Sequence, residues 1–197
     1  MITIMLTFIS GSLAAQAALS MLLSSTVVLT DPSEVVPPFA DLPNVTIVPY
    51  GVGGRDTAAV RKSIDKARPT DPNDGMRVDG LSRYDFRWRW RNDGQGRCTA
   101  APEDISFSAT VTVPRLDSDD PKLRVRFNRY LNSLLAHEDG HIRYAWEHRA
   151  NIAAAISSAT CATANAAAQD ALKSISAHDI SYDKATRHGA TSVVSLN

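Results

Sequence analysis

The sequence lacks net charge, long internal apolar runs and repeats. Its 197 residues carry 21 basic and 21 acidic side chains. This balance argues against a dedicated nucleic-acid binder, so no nucleic-acid partner is expected. After the N-terminal region, no segment is apolar and long enough to span a bilayer. Stable membrane insertion is therefore not expected beyond a possible N-terminal anchor.

Cysteine is scarce, with only Cys98 and Cys161 present, and neither has the CxxC spacing of a structural zinc site. Two cysteines in an exported domain favour a disulfide between them. Two unrelated buried thiols would be the better interpretation if the protein were cytosolic.

The N-terminus also lacks charge, since residues 1–30 contain no ionisable side chain. Ala15-Gln16-Ala17 has the small-x-small form that signal peptidases recognise, which predicts a signal peptide over 1–17 and a secreted or periplasmic protein. The usual basic start is missing, so an N-terminally membrane-anchored form is the alternative. We expect a proline-rich leader or linker over 18–43 and one domain over 44–197.

The sequence HEDGH at 137–141 is the most informative motif. On an α-helix, His137 and His141 lie one turn apart on the same face, where they can bind one metal ion. Zinc accepts imidazole nitrogen readily, and Glu138 could deprotonate a water on the metal. The pattern is typical of zinc metallopeptidases. It predicts a Zn²⁺ cofactor and makes Glu138 the catalytic carboxylate.

The surrounding sequence predicts the helix that this motif needs. Ser118-Asp119-Asp120-Pro121 is a typical helix start, and apolar residues then recur at helical spacing. One helix is predicted from about 120 to 157. Gly140 interrupts this pattern. A glycine inside a helix is less favourable than alanine by about 1 kcal/mol, which suggests that Gly140 is needed for close packing against another backbone.

Strand patterns precede this helix. Val45, Ile47 and Tyr50 indicate a first strand, and Thr57–Ala67 a short helix. Aromatic residues alternate with charged ones from Tyr84 to Trp90, and apolar residues alternate from Ile105 to Val113 in a partner strand. The aromatic row could line a substrate cleft, although core packing is the better interpretation. These patterns predict an α+β fold, with a twisted antiparallel sheet against the long motif helix and a second C-terminal helix.

A catalytic zinc needs a third protein ligand and an open position. Glu147 and His148 lie about 9 Å or more along an unbroken helix from His141, too far to share its ion. The remaining candidates follow the alanine-rich segment, where a second helix could return to the site: His178, Asp179, Asp183 and His188. The segment Ser181–Gly189 ends in a His-Gly turn, which is a suitable place to present a ligand.

The chain resembles bacterial predicted secreted zinc-dependent proteases, a family long catalogued as a domain of unknown function. The resemblance covers about 44–191 and rests mainly on HEDGH and on the YDKATRHG segment near the end. Weaker similarities are the Tyr50-Gly51-Val52 segment, the tryptophan strand and the two cysteines. The resemblance implies zinc ligands His137 and His141 with His188 as the preferred third. Asp183, from the same returning segment, is the runner-up. The resemblance also supports the Cys98–Cys161 pair.

Together these features predict a secreted or periplasmic zinc metallopeptidase that acts on peptide or protein substrates. Glu138 would be the general base, and Tyr182 would rank before Arg187 as a donor to the oxyanion. Tyr182 could equally pack the tail against the helix. The alternatives are a cell-wall amide hydrolase or a non-proteolytic binding domain on the same scaffold, in which Glu138 or Asp183 would close a structural zinc site.

Overall fold

The computed structural model of the protein describes Val35 and residues 37–196. The predicted signal peptide, and the leader except for Val35 and 37–43, lie outside the described residues. In chain order the elements are β1 (Val45–Val52), α1 (Thr57–Ala67), β2 (Leu81–Trp88), β3 (Arg91–Asn92), β4 (Cys98–Thr99), β5 (Ile105–Leu116), α2 (Pro121–Glu147), α3 (Arg149–Ser158) and α4 (Ala164–Thr186). A small sheet beside a long bent helix and a C-terminal helix confirms the α+β class.

The main sheet has three strands in the order β1–β5–β2. β2 pairs antiparallel with β5, as predicted for the aromatic strand and its partner. β1 differs from the antiparallel expectation, because it pairs parallel with β5 along its whole length. The two strands are separated in the chain by α1 and β2, so no hairpin turn fixes their relative direction. A separate two-stranded ribbon is formed by β3 and β4.

The core lies between this sheet and the helices. Alternate residues of β5 face it, and α2 contributes its predicted apolar stripe. Part of the predicted linker is packed as well, since Phe39 and Leu42 are buried in the same core. Arg143 of α2 holds that segment by donating to both carboxylate oxygens of Asp41 at 3.0 Å. The packed part of the chain therefore starts before residue 44.

The motif helix begins where the sequence predicts. The Asp120 carboxylate accepts hydrogen bonds from the backbone of Lys122 and Leu123, and Pro121 occupies the first turn. The predicted single helix bends at His148, where φ is −89° and ψ is 4°, and continues as α3. This bend lies beyond His141, so the whole motif is carried by the continuous helix α2.

Cys98 and Cys161 form the predicted disulfide, which joins β4 to the segment before α4. A disulfide is typical of proteins that fold outside the reducing cytoplasm. None of the described helices has the length and apolarity needed to cross a membrane.

Candidate metal centre

Helix α2 places the two histidines and the glutamate of the motif in the protein interior. His137, Glu138 and His141 are 4%, 3% and 7% exposed. The two imidazole rings lie one helical turn apart, with their centroids separated by 5.2 Å. Both rings are turned toward α4, which returns across α2.

Asp183 of α4 completes a compact group with the two histidines. Its Oδ1 lies 3.5 Å from Nε2 of His137 and 3.2 Å from Nε2 of His141. One possible ligand atom from each of the three residues lies within 4.8 Å of the other two. Two imidazole nitrogens and a carboxylate oxygen suit a divalent cation such as Zn²⁺. The geometry defines a candidate metal site without fixing the identity of the metal.

His188, the preferred third ligand from the sequence, lies beside Asp183. Its Nδ1 is 3.6 Å from the Asp183 Oδ1, and its Nε2 is 2.9 Å from an Asp74 oxygen. It is not in the compact group, which contains the runner-up Asp183 instead. The difference arises because α4 remains helical through Thr186 and so directs Asp183 at α2. Ligation by His188 stays a prediction.

Asp179 holds the orientation of His141. The Nδ1 of His141 lies 3.2 Å from Asp179 Oδ1, and the Tyr84 hydroxyl donates to the other carboxylate oxygen. Such carboxylate–imidazole contacts orient histidine ligands in metal sites. Burial alone would lower the pKa of His141, but hydrogen bonds with Asp179 and Asp183 outweigh it and raise that pKa to about 10. The same negative potential would favour a metal cation.

His137 is held by stacking. Its ring lies nearly parallel to that of Tyr182, with the centroids 5.1 Å apart. Its buried Nδ1 has no hydrogen-bond partner among the described residues. The two imidazoles thus differ at Nδ1, which contacts Asp179 in His141 and has no partner among the described residues in His137.

Glu138 lies beside the ligand group and not within it. The Ser82 hydroxyl donates to its Oε2 at 2.7 Å. Gly80 makes room for Oε1, since a Cβ at position 80 would lie 2.2 Å from that oxygen. Burial raises the pKa of Glu138 above its ordinary value, although the Ser82 hydrogen bond and both motif histidines oppose this shift. A buried carboxylate with a raised pKa is the kind of group that serves as a general base.

Gly140 permits the close approach of α4. A Cβ at this position would lie 2.6 Å from the Tyr182 hydroxyl oxygen. The predicted close packing is therefore present, but its partner is a side chain and not a backbone. Tyr182 also lies edge-on to His141, with centroids 4.9 Å apart.

The other sequence candidates lie outside the ligand group. His178 stacks on Tyr144 with centroids 3.4 Å apart, and His148 lies against the same tyrosine. Glu147 is at the exposed end of α2, and Arg187 is exposed after α4. These placements agree with the helix-geometry argument against Glu147 and His148.

Ser82 and Gly80 are neighbours of Glu138 that were not predicted from the sequence, and Tyr84 was predicted only as part of the aromatic strand. One signal could have found two of them, because Ser82 and Tyr84 share their strand face with the aromatic row. That face packs against the helices. Phe86 is buried in the core, and Tyr84, Trp88 and Trp90 are partly buried against it. Ser82 and Tyr84, on the same face, reach the candidate centre.

The fold and site define an α+β protein with a candidate metal centre between α2 and α4. Residues 47–189 match the family described as "Bacterial protein of unknown function (DUF922)", and the chain belongs to this family. The match confirms the bacterial domain of unknown function in the resemblance, and its description states no activity. No curated protein and no solved structure matches the chain significantly.

Proposed function

We propose that this protein is a zinc-dependent hydrolase, most simply a metallopeptidase that acts on peptides or proteins outside the cytoplasm. One observation carries the proposal: Glu138 is buried next to His137, His141 and Asp183 without belonging to their ligand group. Three protein ligands leave a position for water, as in catalytic zinc sites. A structural zinc site would use a fourth side chain to close the shell.

The residues present fit zinc. The donor set has two imidazoles and one carboxylate. Asp179 contacts Nδ1 of His141, the ring nitrogen that does not face Asp183, and so orients that imidazole. Bound zinc would supply Lewis acidity and lower the pKa of water in the site.

Glu138 would carry the proton. Ser82 holds its Oε2, and the space beside Gly80 accommodates Oε1. We assign to Glu138 the removal of a proton from the attacking water and its transfer to the leaving amine. The raised pKa of this carboxyl, caused mainly by burial, favours retention of the proton between the two transfers.

Tyr182 is assigned as the donor to the developing oxyanion. It lies against both metal-binding histidines, and burial raises the pKa of its hydroxyl, so the proton needed for donation is kept. Arg187 is second because its side chain is exposed after the end of α4.

The proposal is tested with Glu138→Gln and a matched control on the same helix, Glu147→Gln. Purified proteins are analysed for metal and assayed on a generic peptide library and on cell-wall peptides. Glu138→Gln should keep its zinc and lose roughly 100-fold or more of its activity, in line with loss of a general base. Glu147→Gln should match the wild type, and His137→Ala should lose the zinc bound at this centre.

Other outcomes assign other functions. Cleavage confined to cell-wall peptides would identify an amide hydrolase of the cell wall. A wild-type protein that cleaves nothing and unfolds when zinc is chelated would be a binding domain with structural zinc, and the proposal would be wrong.

A further inference from the structure

A second cluster of ligand-type side chains borders the first. Asp71, Asp74 and His188 also place one possible ligand atom each within 4.8 Å of the other two. His188 Nε2 lies 2.9 Å from Asp74 Oδ2. We propose that this cluster binds a second divalent cation, of the transition-metal class represented by Zn²⁺ and Mn²⁺.

The burial of Asp71 points to a cation. This residue is 3% exposed, and a buried carboxylate is costly unless a positive charge or several hydrogen bonds compensate it. Its side chain accepts a hydrogen bond from the backbone of Asn73 at 2.8 Å. Within the described part of the chain, no lysine or arginine forms an ion pair with it. A metal ion at the cluster would place a positive charge beside the Asp71 carboxylate.

The negative charge of the neighbouring pocket also favours a second cation. One pocket is lined by three histidines, the motif pair and His188, and by four carboxylate residues, Asp71, Glu138, Asp179 and Asp183. None of its lining residues in the described structure is lysine or arginine. One divalent cation does not balance four carboxylates, and Asp74 adds a further carboxylate beside His188.

His188 is held in place by an unusual turn. Arg187 and His188 both have φ of 52°, and Gly189 has φ of 81°. Left-handed conformations at two successive non-glycine residues are energetically unfavourable. The turn holds the imidazole between Asp183 on one side and Asp74 on the other, so the two clusters are direct neighbours.

The donor types select the class of cation. Calcium and magnesium prefer shells made of oxygen, and calcium takes six to eight such ligands. An imidazole with two carboxylates instead suits zinc or manganese. The second site depends on this geometry and not on the proposed peptidase activity.

The experiment counts metals on the native protein. Chelator-stripped protein is titrated with Zn²⁺, Mn²⁺ or Ca²⁺ alone by calorimetry, and bound metal is measured after gel filtration. The wild type should bind two Zn²⁺ or Mn²⁺ ions per chain and no stoichiometric Ca²⁺. The double variant Asp71→Asn, Asp74→Asn should bind one ion. Asparagine oxygens can still accept the loop hydrogen bonds from Asn73 and Met76, so the loop should be retained.

Three further proteins make the result decisive. Asp170→Asn, an exposed carboxylate on α4, should still bind two ions, and His137→Ala should lose only the first site. His188→Gln provides a second variant for the new site if the double variant fails to fold by circular dichroism.

Wild-type protein that saturates with one ion would overturn the inference, as would an unchanged count in the folded double variant. If one ion is bound and lost in both His137→Ala and His188→Gln, then His188 is a ligand of the first metal and Asp74 orients it. Two ions without any hydrolysis would support the second site while the proposed function failed.

Discussion

Gly80 determines where the Glu138 carboxylate can lie. A Cβ at position 80 would be 2.2 Å from Oε1 and 2.8 Å from Cδ of Glu138. Gly80→Ala should therefore displace the carboxylate from Ser82 and from the attacking water. We expect hydrolysis to fall by roughly 100-fold, the scale of a lost general base, while bound zinc is unchanged.

A second glycine provides the control for this substitution. Gly51 lies in β1, and a Cβ added there would meet no other side chain or backbone atom within 4 Å, so Gly51→Ala should leave kcat unchanged. Full activity in Gly80→Ala, with zinc content equal to that of the wild type, would show that the position of Glu138 is not important.

The identity of the third ligand is also decided by single residues. Asp183 contacts both motif histidines, whereas His188 contacts Asp183 and Asp74. Asp183→Asn should therefore weaken zinc at the first site more than His188→Ala does, by at least about tenfold, the lower end of the effect of disturbing a metal site. Competition with a chromophoric chelator measures both affinities. The reverse order would restore His188 as the third ligand.

At the scale of elements, the contact between α2 and α4 depends on Gly140. Alanine would favour the helix by about 1 kcal/mol, but its Cβ would lie 2.6 Å from the Tyr182 hydroxyl oxygen. We expect Gly140→Ala to be destabilising in urea unfolding. In a Tyr182→Ala background the obstacle is gone, and the same substitution should be stabilising. The same sign in both backgrounds would contradict the packing argument.

The elements themselves could be predicted from sequence where the signal is local. The cap at Asp120, the helix stripe of α2 and the alternation in β2 and β5 each reflect short-range periodicity. The parallel pairing of β1 with β5 could not be predicted in this way. The two strands are far apart in the chain, so their pairing depends on the topology of the whole domain. Within the candidate site, too, local relations could be predicted and long-range contacts could not. His137 and His141 are one turn apart, but Asp183 reaches them only through the register of α4.

The bend between α2 and α3 was not predicted either, because no residue type in that segment marks it. The segment around His148 contains no proline or glycine, the residues that usually mark a break. At the bend the His148 ring lies on Tyr144, one turn earlier in the same helix, and its Nδ1 is 2.8 Å from that residue's carbonyl oxygen.

At the scale of the whole molecule, the disulfide joins the strand-rich half to the helical half. Cys98 and Cys161 are 63 residues apart, and the loop that they close contains β5, α2 and α3. In the chain-entropy model, such a loop contributes about 4 kcal/mol to the free energy of unfolding. A Cys98→Ser, Cys161→Ser variant should lose roughly this amount in urea unfolding. An unchanged unfolding midpoint would contradict the expectation.

Asp79 connects four elements next to the site. Its carboxylate accepts hydrogen bonds from Arg61 of α1 and from Tyr130 of α2, while its backbone oxygen accepts from Tyr50 of β1. Gly80 and β2 follow directly. Burial alone would raise the pKa of Asp79, but hydrogen bonds from Arg61 and Tyr130 outweigh it and hold that pKa below its ordinary value.

The pH dependence of stability follows from this lowered pKa. The folded state binds the Asp79 proton more weakly than the unfolded state, so the stabilisation is complete above the unfolded pKa of about 3.9 and is lost as pH falls through the folded pKa. Asp79→Asn should lower the free energy of unfolding by about 2 to 3 kcal/mol near pH 7, somewhat less than the loss for a fully buried pair. The difference from wild type should shrink below about pH 4. Urea unfolding from pH 3 to 8 measures this difference, with Asp170→Asn as the exposed control. A difference that persists undiminished at the acid end would show that charge at Asp79 does not stabilise the fold.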